Sequence, residues 1–205
     1  IMLQLKLGKA WFNYPLNFHE LESKESVIIF EDDKVTVQTV PLKHRIYTNG
    51  FVFKEKLGER KINIEAVKSN NIDMSYFQKI KQGNDVENED GELISNKEIT
   101  FDPDKPKSYA FCSDTQYYPE CIPIIKNVTA LYHESSFLEE HEHLCVKTRH
   151  STAKQAASIA KEANVDRLIL GHYSTRYPSI EKFKTEAKQV FDHVELAEDG
   201  KKFII

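Results

Sequence analysis

Four apolar runs in this chain end on residues able to bind a metal or move a proton. Residues 35–42 lead to His44, 109–113 to Asp114, 129–132 to His133 and Glu134, and 165–171 to His172. Imidazole and carboxylate together suit zinc and related divalent ions. Strand tips that carry such groups are where an α/β sheet places a reaction centre. Singly, each has a plain structural explanation: His172 caps a strand, Asp114 forms a turn, His44 sits in a loop. Their recurrence at strand ends is what points to part of a metalloenzyme.

A second constellation is His150-Ser151-Thr152. Thr152 and Gln155 have the spacing of a capping box, with Ala156, Ala157, Ile159, Ala160 and Ala163 as the close-packing face behind it. His150 therefore stands just outside a helix N-terminus. The helix dipole there lowers an imidazole's pKa and favours a nearby anion such as phosphate. An imidazole so placed is suited to protonating a leaving group. His133-Glu134 could orient or charge another imidazole. His141-Glu142-His143 imitates the start of a His-x-His-x-Asp-His zinc motif, but Cys145 and Val146 stand where Asp and His are required, so it reads as a polar loop or helix. Lys79 and Lys81, beside Tyr76 and Phe77, could meet nucleic-acid phosphate or form a solvated face.

The elements that must position these groups are short. Residues 1–12 read as helix, and 16–21, 26–30, 34–40 and 51–53 as strands. Asp32-Asp33 and Asn49-Gly50 are the turn pairs between them. Residues 54–107 change character: lysine-rich first, acidic later, with short helices at 62–67 and 74–80. This stretch reads as an arm or insertion within a single domain covering 1–205. The α/β alternation then resumes, with strands at 108–113, 128–132 and 166–170, helices at 152–163 and 180–190, and a closing strand at 203–205.

Composition sets outer bounds. The chain has 205 residues, 40% hydrophobic and 29% charged, long enough for one real core. Its net charge of −4 does not advertise a nucleic-acid binder, though a local basic arm could act as one. No apolar stretch is of membrane-spanning length. Three cysteines without a C-x-x-C pair argue against a disulfide framework or thiolate zinc site. The first residues lack a signal-peptide pattern, so a reducing cytoplasm is the expected compartment. A start at Ile1-Met2 suggests a piece of something longer.

Taken in order, Pro-Leu-Lys-His44-Arg, Phe-Cys-Ser-Asp114-Thr, Tyr-His133-Glu134-Ser-Ser-Phe, His150-Ser151-Thr152-Ala-x-Gln-Ala-Ala and Leu-Ile-Leu-Gly-His172-Tyr-Ser-Thr-Arg176-Tyr177 closely resemble the later motifs of ribonuclease Z. That family comprises tRNA 3′-processing endonucleases. The resemblance implies an α/β fold, the metallo-β-lactamase-type αββα sandwich. Here it would be incomplete, with its N-terminal part missing and a flexible arm inserted at about 54–107. It implies His44, Asp114 and His172 as metal ligands, with Asp114 bridging two zinc ions. It implies His150, supported by Glu134, as the proton donor to the leaving 3′ oxygen. Lys79, Lys81, Ser151, Thr152 and Arg176 would contact precursor tRNA, and the enzyme would be a cytoplasmic homodimer with no membrane partner. The arm lacks the Gly-Pro pair of many bacterial members. The His-x-His-x-Asp-His motif, which supplies most zinc ligands and the general base, is absent. The chain alone is therefore expected to hold no competent two-metal site, and to expose apolar surface where the missing half would pack. Alternative readings are another metallo-β-lactamase-fold hydrolase, acting on phosphodiesters, DNA or arylsulfates, and a non-catalytic RNA-binding module.

Overall fold

The computed structural model describes Tyr14, Pro15 and residues 17–205. The helix expected at 1–12 lies outside the described residues, as does Leu16. Residues 17–21 carry no strand, which corrects the expectation for 16–21. The first hairpin joins β1 (Ile28–Glu31) to β2 (Val35–Pro41). Asp32 makes its turn: one carboxylate oxygen accepts from the amides of Lys34 (2.8 Å) and Val35 (2.7 Å).

β3 (Asn49–Glu55) pairs antiparallel with β2, with Gly50 opposite Val40. Asn49-Gly50 is therefore strand and not the expected turn. The glycine serves close approach: a Cβ at Gly50 would lie 2.3 Å from the carbonyl oxygen of Phe111.

After the inserted segment come β8 (Ser108–Cys112), β9 (Ala130–Glu134), β10 (Leu168–Gly171) and β11 (Val194–Leu196). Among the described residues these form one seven-stranded mixed sheet in the order β1-β2-β3-β8-β9-β10-β11. β8, β9, β10 and β11 are mutually parallel. β3 is antiparallel to both β2 and β8, so β2 runs the same way as β8. The C-terminal ends of β2, β8, β9 and β10 thus share one edge, which is why the four apolar runs deliver their polar ends to one place. The closing strand is β11. Residues 203–205 form no strand; Phe203 and Ile205 instead line a cleft beside Tyr109 and Phe111.

One sheet face is covered. Val40, Val52, Ala110, Cys112, Leu131, Leu168 and Leu170 pack with the small-residue face of a helix spanning Ala153–Glu162 and with Phe183 and Ala187 of a helix spanning Glu181–Ala187. The other face carries aromatic side chains: Phe53 stacks on Tyr109 at 6.2 Å and Phe111 on Tyr132 at 4.7 Å between ring centres. Phe53 is 40% and Phe111 37% exposed. Ile28, Ile29 and Phe30 of β1 are exposed as well.

The segment between β3 and β8 folds around its own apolar cluster of Val67, Ile72, Ile80, Val86, Ile94 and Ile99. Its elements are β4 (Lys61–Ile62), α1 (Ile64–Ser69), α2 (Phe77–Lys81), β5 (Val86–Glu87), β6 (Leu93–Ile94), α3 (Asn96–Ile99) and β7 (Thr100–Phe101). Buried Asn96 ties it together, donating through Nδ2 to the carbonyls of Ile80 (2.7 Å) and Asn84 (3.0 Å). The remaining α-helices among the described residues are α4 (Ile122–Ile125), α5 (Glu142–Thr148), α6 (Ala153–Glu162) and α7 (Glu181–Ala187).

Candidate metal centre

His44 follows β2 in a loop held to the tip of β8. The Lys43 amide donates to Thr115 Oγ1 (3.1 Å), and the Gln116 amide donates to the Lys43 carbonyl (3.0 Å). His44 Nδ1 lies 3.0 Å from the Arg149 carbonyl, which can only accept. Nδ1 thus carries a hydrogen, and in the neutral tautomer Nε2 is the nitrogen left with a lone pair.

Asp114 and His172 take up the tips of β8 and β10. Their nearest atoms, Oδ1 and Nε2, are 3.3 Å apart. Both residues have left-handed backbone, φ 57° and 61°. Among the described residues the other non-glycine positions with positive φ are three asparagines and Arg149, whose carbonyl holds His44. Asp114, Arg149 and His172 thus bring left-handed backbone to this one edge.

Glu134, at the tip of β9, is fully buried. Its carboxylate accepts from His150 Nδ1 (2.7 Å), the Thr115 amide (2.8 Å), Ser136 Oγ (2.9 Å), the Ser151 amide (3.1 Å) and the Ser136 amide (3.2 Å). Burial raises its pKa. The hydrogen bond and charge of His150, the Ser151 amide and the charge of His133 outweigh burial and hold Glu134 below its ordinary 4.5. His150 moves the other way. The bond to Glu134 raises its pKa above the ordinary 6.5, against the effect of burial. This corrects the expectation that the helix end would lower it: a buried carboxylate at 2.7 Å outweighs a partial charge at the start of α6. The capping box itself is present, with Thr152 as N-cap.

The donor atoms of His44, Asp114 and His150 lie within 4.8 Å of one another, as do those of Glu134, His150 and His172. The His150 ring is 5.1 Å from both the His44 and His172 rings. These residues fit a divalent ion. The separation of Asp114 Oδ1 and His172 Nε2, 3.3 Å, is the edge of a tetrahedron with bonds of about 2.0–2.1 Å. The Nδ1 atoms of His44 and His172 are both engaged elsewhere, on the Arg149 carbonyl and Ser136 Oγ.

The other expected residues separate. His133 is buried and donates to the Glu134 carbonyl (2.7 Å), and burial lowers its pKa against that bond. His141 belongs to the turn before α5 and bonds the Tyr177 hydroxyl (2.8 Å), outside both donor groups. Ser151 and Thr152 are buried. Ser151 Oγ donates to the Thr115 carbonyl (2.8 Å), and Thr152 Oγ1 accepts from the Gln155 amide (3.1 Å). Their side chains shape the loop under His150. Arg176 is exposed, its guanidinium 5.2 Å over the Phe137 ring. Lys79 and Lys81 lie on α2 in the inserted segment, Lys79 above Tyr76 at 5.5 Å and Lys81 3.9 Å from Glu59. Sequence reading missed Thr115, Ser136 and the Arg149 carbonyl, because their contributions depend on loops meeting from distant parts of the chain.

No family model matches the chain. Among curated proteins it is 41% identical over 206 residues to the Ribonuclease Z of Cytophaga hutchinsonii, covering 100% of this chain and 66% of that protein. It is 39% identical over 178 residues to the Ribonuclease Z of Porphyromonas gingivalis, covering 87% and 59%. The chain thus spans 59–66% of the length of these curated relatives. Among solved structures, the metallo-β-lactamase fold protein YhfI of Bacillus subtilis aligns with a TM-score of 0.54 at 16% identity, over 88% of this chain and 52% of that one, a likeness of fold alone. With the metallo-β-lactamase fold, and with identity to these relatives running along its length, the chain belongs to the ribonuclease Z family.

Proposed function

We propose that this chain carries the later part of the centre of a zinc-dependent endoribonuclease that removes the 3′ trailer from precursor tRNA. The observation that carries the proposal is the gathering of His44, Asp114 and His172 around the His150–Glu134 pair on one sheet edge. His44, Asp114 and His172 would hold metal. Two bound zinc ions would neutralise charge on the phosphodiester and lower the pKa of the attacking water. Glu134 keeps His150 protonated to higher pH, so His150 has a proton to give. In hydrolysis water adds its oxygen to phosphorus and gives one proton to the general base implied for the absent His-x-His-x-Asp-His motif, the P–O3′ bond breaks, and His150 protonates the departing 3′ oxygen. The resulting neutral imidazole stays hydrogen-bonded to Glu134.

RNA contact falls to the exposed basic groups, with Arg176 beside the site and Lys79 and Lys81 on the inserted segment. A cytoplasmic homodimer is the proposed setting. No helix among the described residues is long and apolar enough to cross a membrane. All three cysteines are free and buried. Three ligands are fewer than two productive ions require, so the chain alone is proposed to be inactive.

The test incubates the 205-residue chain with zinc and precursor tRNA, with and without a segment bearing a His-x-His-x-Asp-His motif. Trailer release only with the added segment, abolished by His150→Ala and Asp114→Ala, is the expected result. Full-rate cleavage by the chain alone, with two tightly bound zinc ions, would overturn the proposal. So would RNA affinity indifferent to zinc and to His172→Ala, which would mark a binding module.

A further inference from the structure

We infer that Ser136 is a positioning residue that fixes which nitrogen of His172 faces the metal. The inference rests on the proposed function only for what His172 binds; the hydrogen-bond argument is independent of it.

Ser136 Oγ has three polar neighbours: Glu134 Oε2 at 2.9 Å, His172 Nδ1 at 2.9 Å and the His172 carbonyl at 3.1 Å. A hydroxyl has one hydrogen and two lone pairs. The strongest acceptor is the carboxylate, which gains a charge-assisted bond. Glu134 is also fully buried, so an oxygen left short of donors there is costly. The Ser136 hydrogen therefore goes to Glu134 or to the His172 carbonyl, which likewise only accepts, and in neither case does it point at Nδ1. That leaves only lone pairs facing His172 Nδ1, and two lone pairs cannot share a 2.9 Å contact. Nδ1 must carry the ring hydrogen and donate to Ser136. In a neutral ring Nε2 is then the bare nitrogen, and Nε2 is the atom 3.3 Å from Asp114 Oδ1. Left to itself, that arrangement sets a lone pair against a carboxylate, and a cation between them relieves it.

The competing arrangement reverses every bond. Ser136 would donate to Nδ1, and the ring hydrogen would sit on Nε2, satisfying Asp114 and blocking the metal. The loop holds the backbone of Ser136 in place for this contact. The Ser136 amide also donates to Glu134 (3.2 Å), and the Ser174 amide donates to the Ser136 carbonyl (3.1 Å). Ser135 donates to the Gly171 carbonyl through its amide (2.8 Å) and its hydroxyl (3.1 Å). Ser136 is thus pinned between the tips of β9 and β10 and cannot turn away. The result is a carboxylate–histidine pair with a hydroxyl inserted. One carboxylate then serves both imidazoles, His150 directly and His172 through Ser136.

Long-range ¹H–¹⁵N spectra of the His172 ring in the metal-free chain test this, recorded at alkaline pH where the imidazole is neutral. The expected wild-type tautomer carries hydrogen on Nδ1. Ser136→Thr keeps it, and Ser136→Ala shifts population toward Nε2–H. Zinc competition should show S136A weakened about 10–100-fold and S136T close to wild type. A wild-type ring already protonated on Nε2, or an S136A spectrum identical to wild type, overturns the inference. The wild-type tautomer needs no variant, so a folding defect in S136A does not blunt the test. A chain that shows the Nδ1–H tautomer yet binds no zinc even when completed with a His-x-His-x-Asp-His segment would count against the proposed function and leave the Ser136 assignment standing.

Discussion

A buried carboxylate is costly unless its lone pairs are met, and Glu134 meets its own with His150 and a ring of amides and a hydroxyl. The pair therefore leaves a pH signature. Glu134 lies below its ordinary 4.5, so its contribution is present above that range and is lost as pH falls through the depressed value. His150 lies above its ordinary 6.5, so its contribution is full below that value and lost as pH rises through the raised one. The pair should stabilise most in mildly acid solution. In an NMR titration the His150 ring should show a midpoint above 6.5 that drops in Glu134→Gln; an unchanged midpoint would remove Glu134 as its cause. The left-handed backbone of His172 gives a second prediction. At φ 61° a Cβ is strained by about 1–2 kcal/mol, so His172→Gly should be more stable than His172→Ala in urea, reversing the usual order. At this scale His44, Asp114, Glu134, His150 and His172 are legible as candidates because each stands at a strand or helix end. Ser136 and Arg149 are not: one acts through a hydroxyl between two tips, the other through a carbonyl.

Elements were readable where local signals agreed. α6 announces itself by its capping box, and β9 and β10 by apolar runs too short for helices. Asn49-Gly50 misled because its pair type favours turns, while the fold uses the glycine to bring β3 against β8. The two close-approach glycines separate by what a Cβ would meet. Gly50→Ala would strike backbone, the Phe111 carbonyl at 2.3 Å, and should cost about 3 kcal/mol. Gly171→Ala would strike the Tyr132 side chain, its hydroxyl at 2.2 Å. A second change, Tyr132→Leu, should recover part of that loss, whereas no side-chain change should rescue Gly50→Ala. Urea melts of the single and double variants check both. β11 escaped notice because Val194-Glu195-Leu196 is three residues long and becomes a strand only by pairing with β10.

Two apolar clusters divide the molecule, one under the sheet and one inside the inserted segment. The sequence of that segment shows only short helices because each is too brief to stand alone, and the cluster that joins them is non-local. Ile80 is fully buried at its centre. Ile80→Ala should cost the segment about 2–5 kcal/mol, making it the first site of limited proteolysis while the sheet stays intact. Initial cuts within the sheet would show that the two clusters unfold as one. The partly exposed aromatic face is legible in the alternation of Phe51, Phe53, Tyr109 and Phe111, because strand periodicity alone assigns them to one side. The convergence on Glu134 has a consequence for motion. The amides of Thr115, Ser136 and Ser151 come from three separate loops, yet all end on one carboxyl group. Their hydrogen exchange should be governed by a single opening event, so acid or Glu134→Gln should release all three amides together and let the loops around the site loosen as a set.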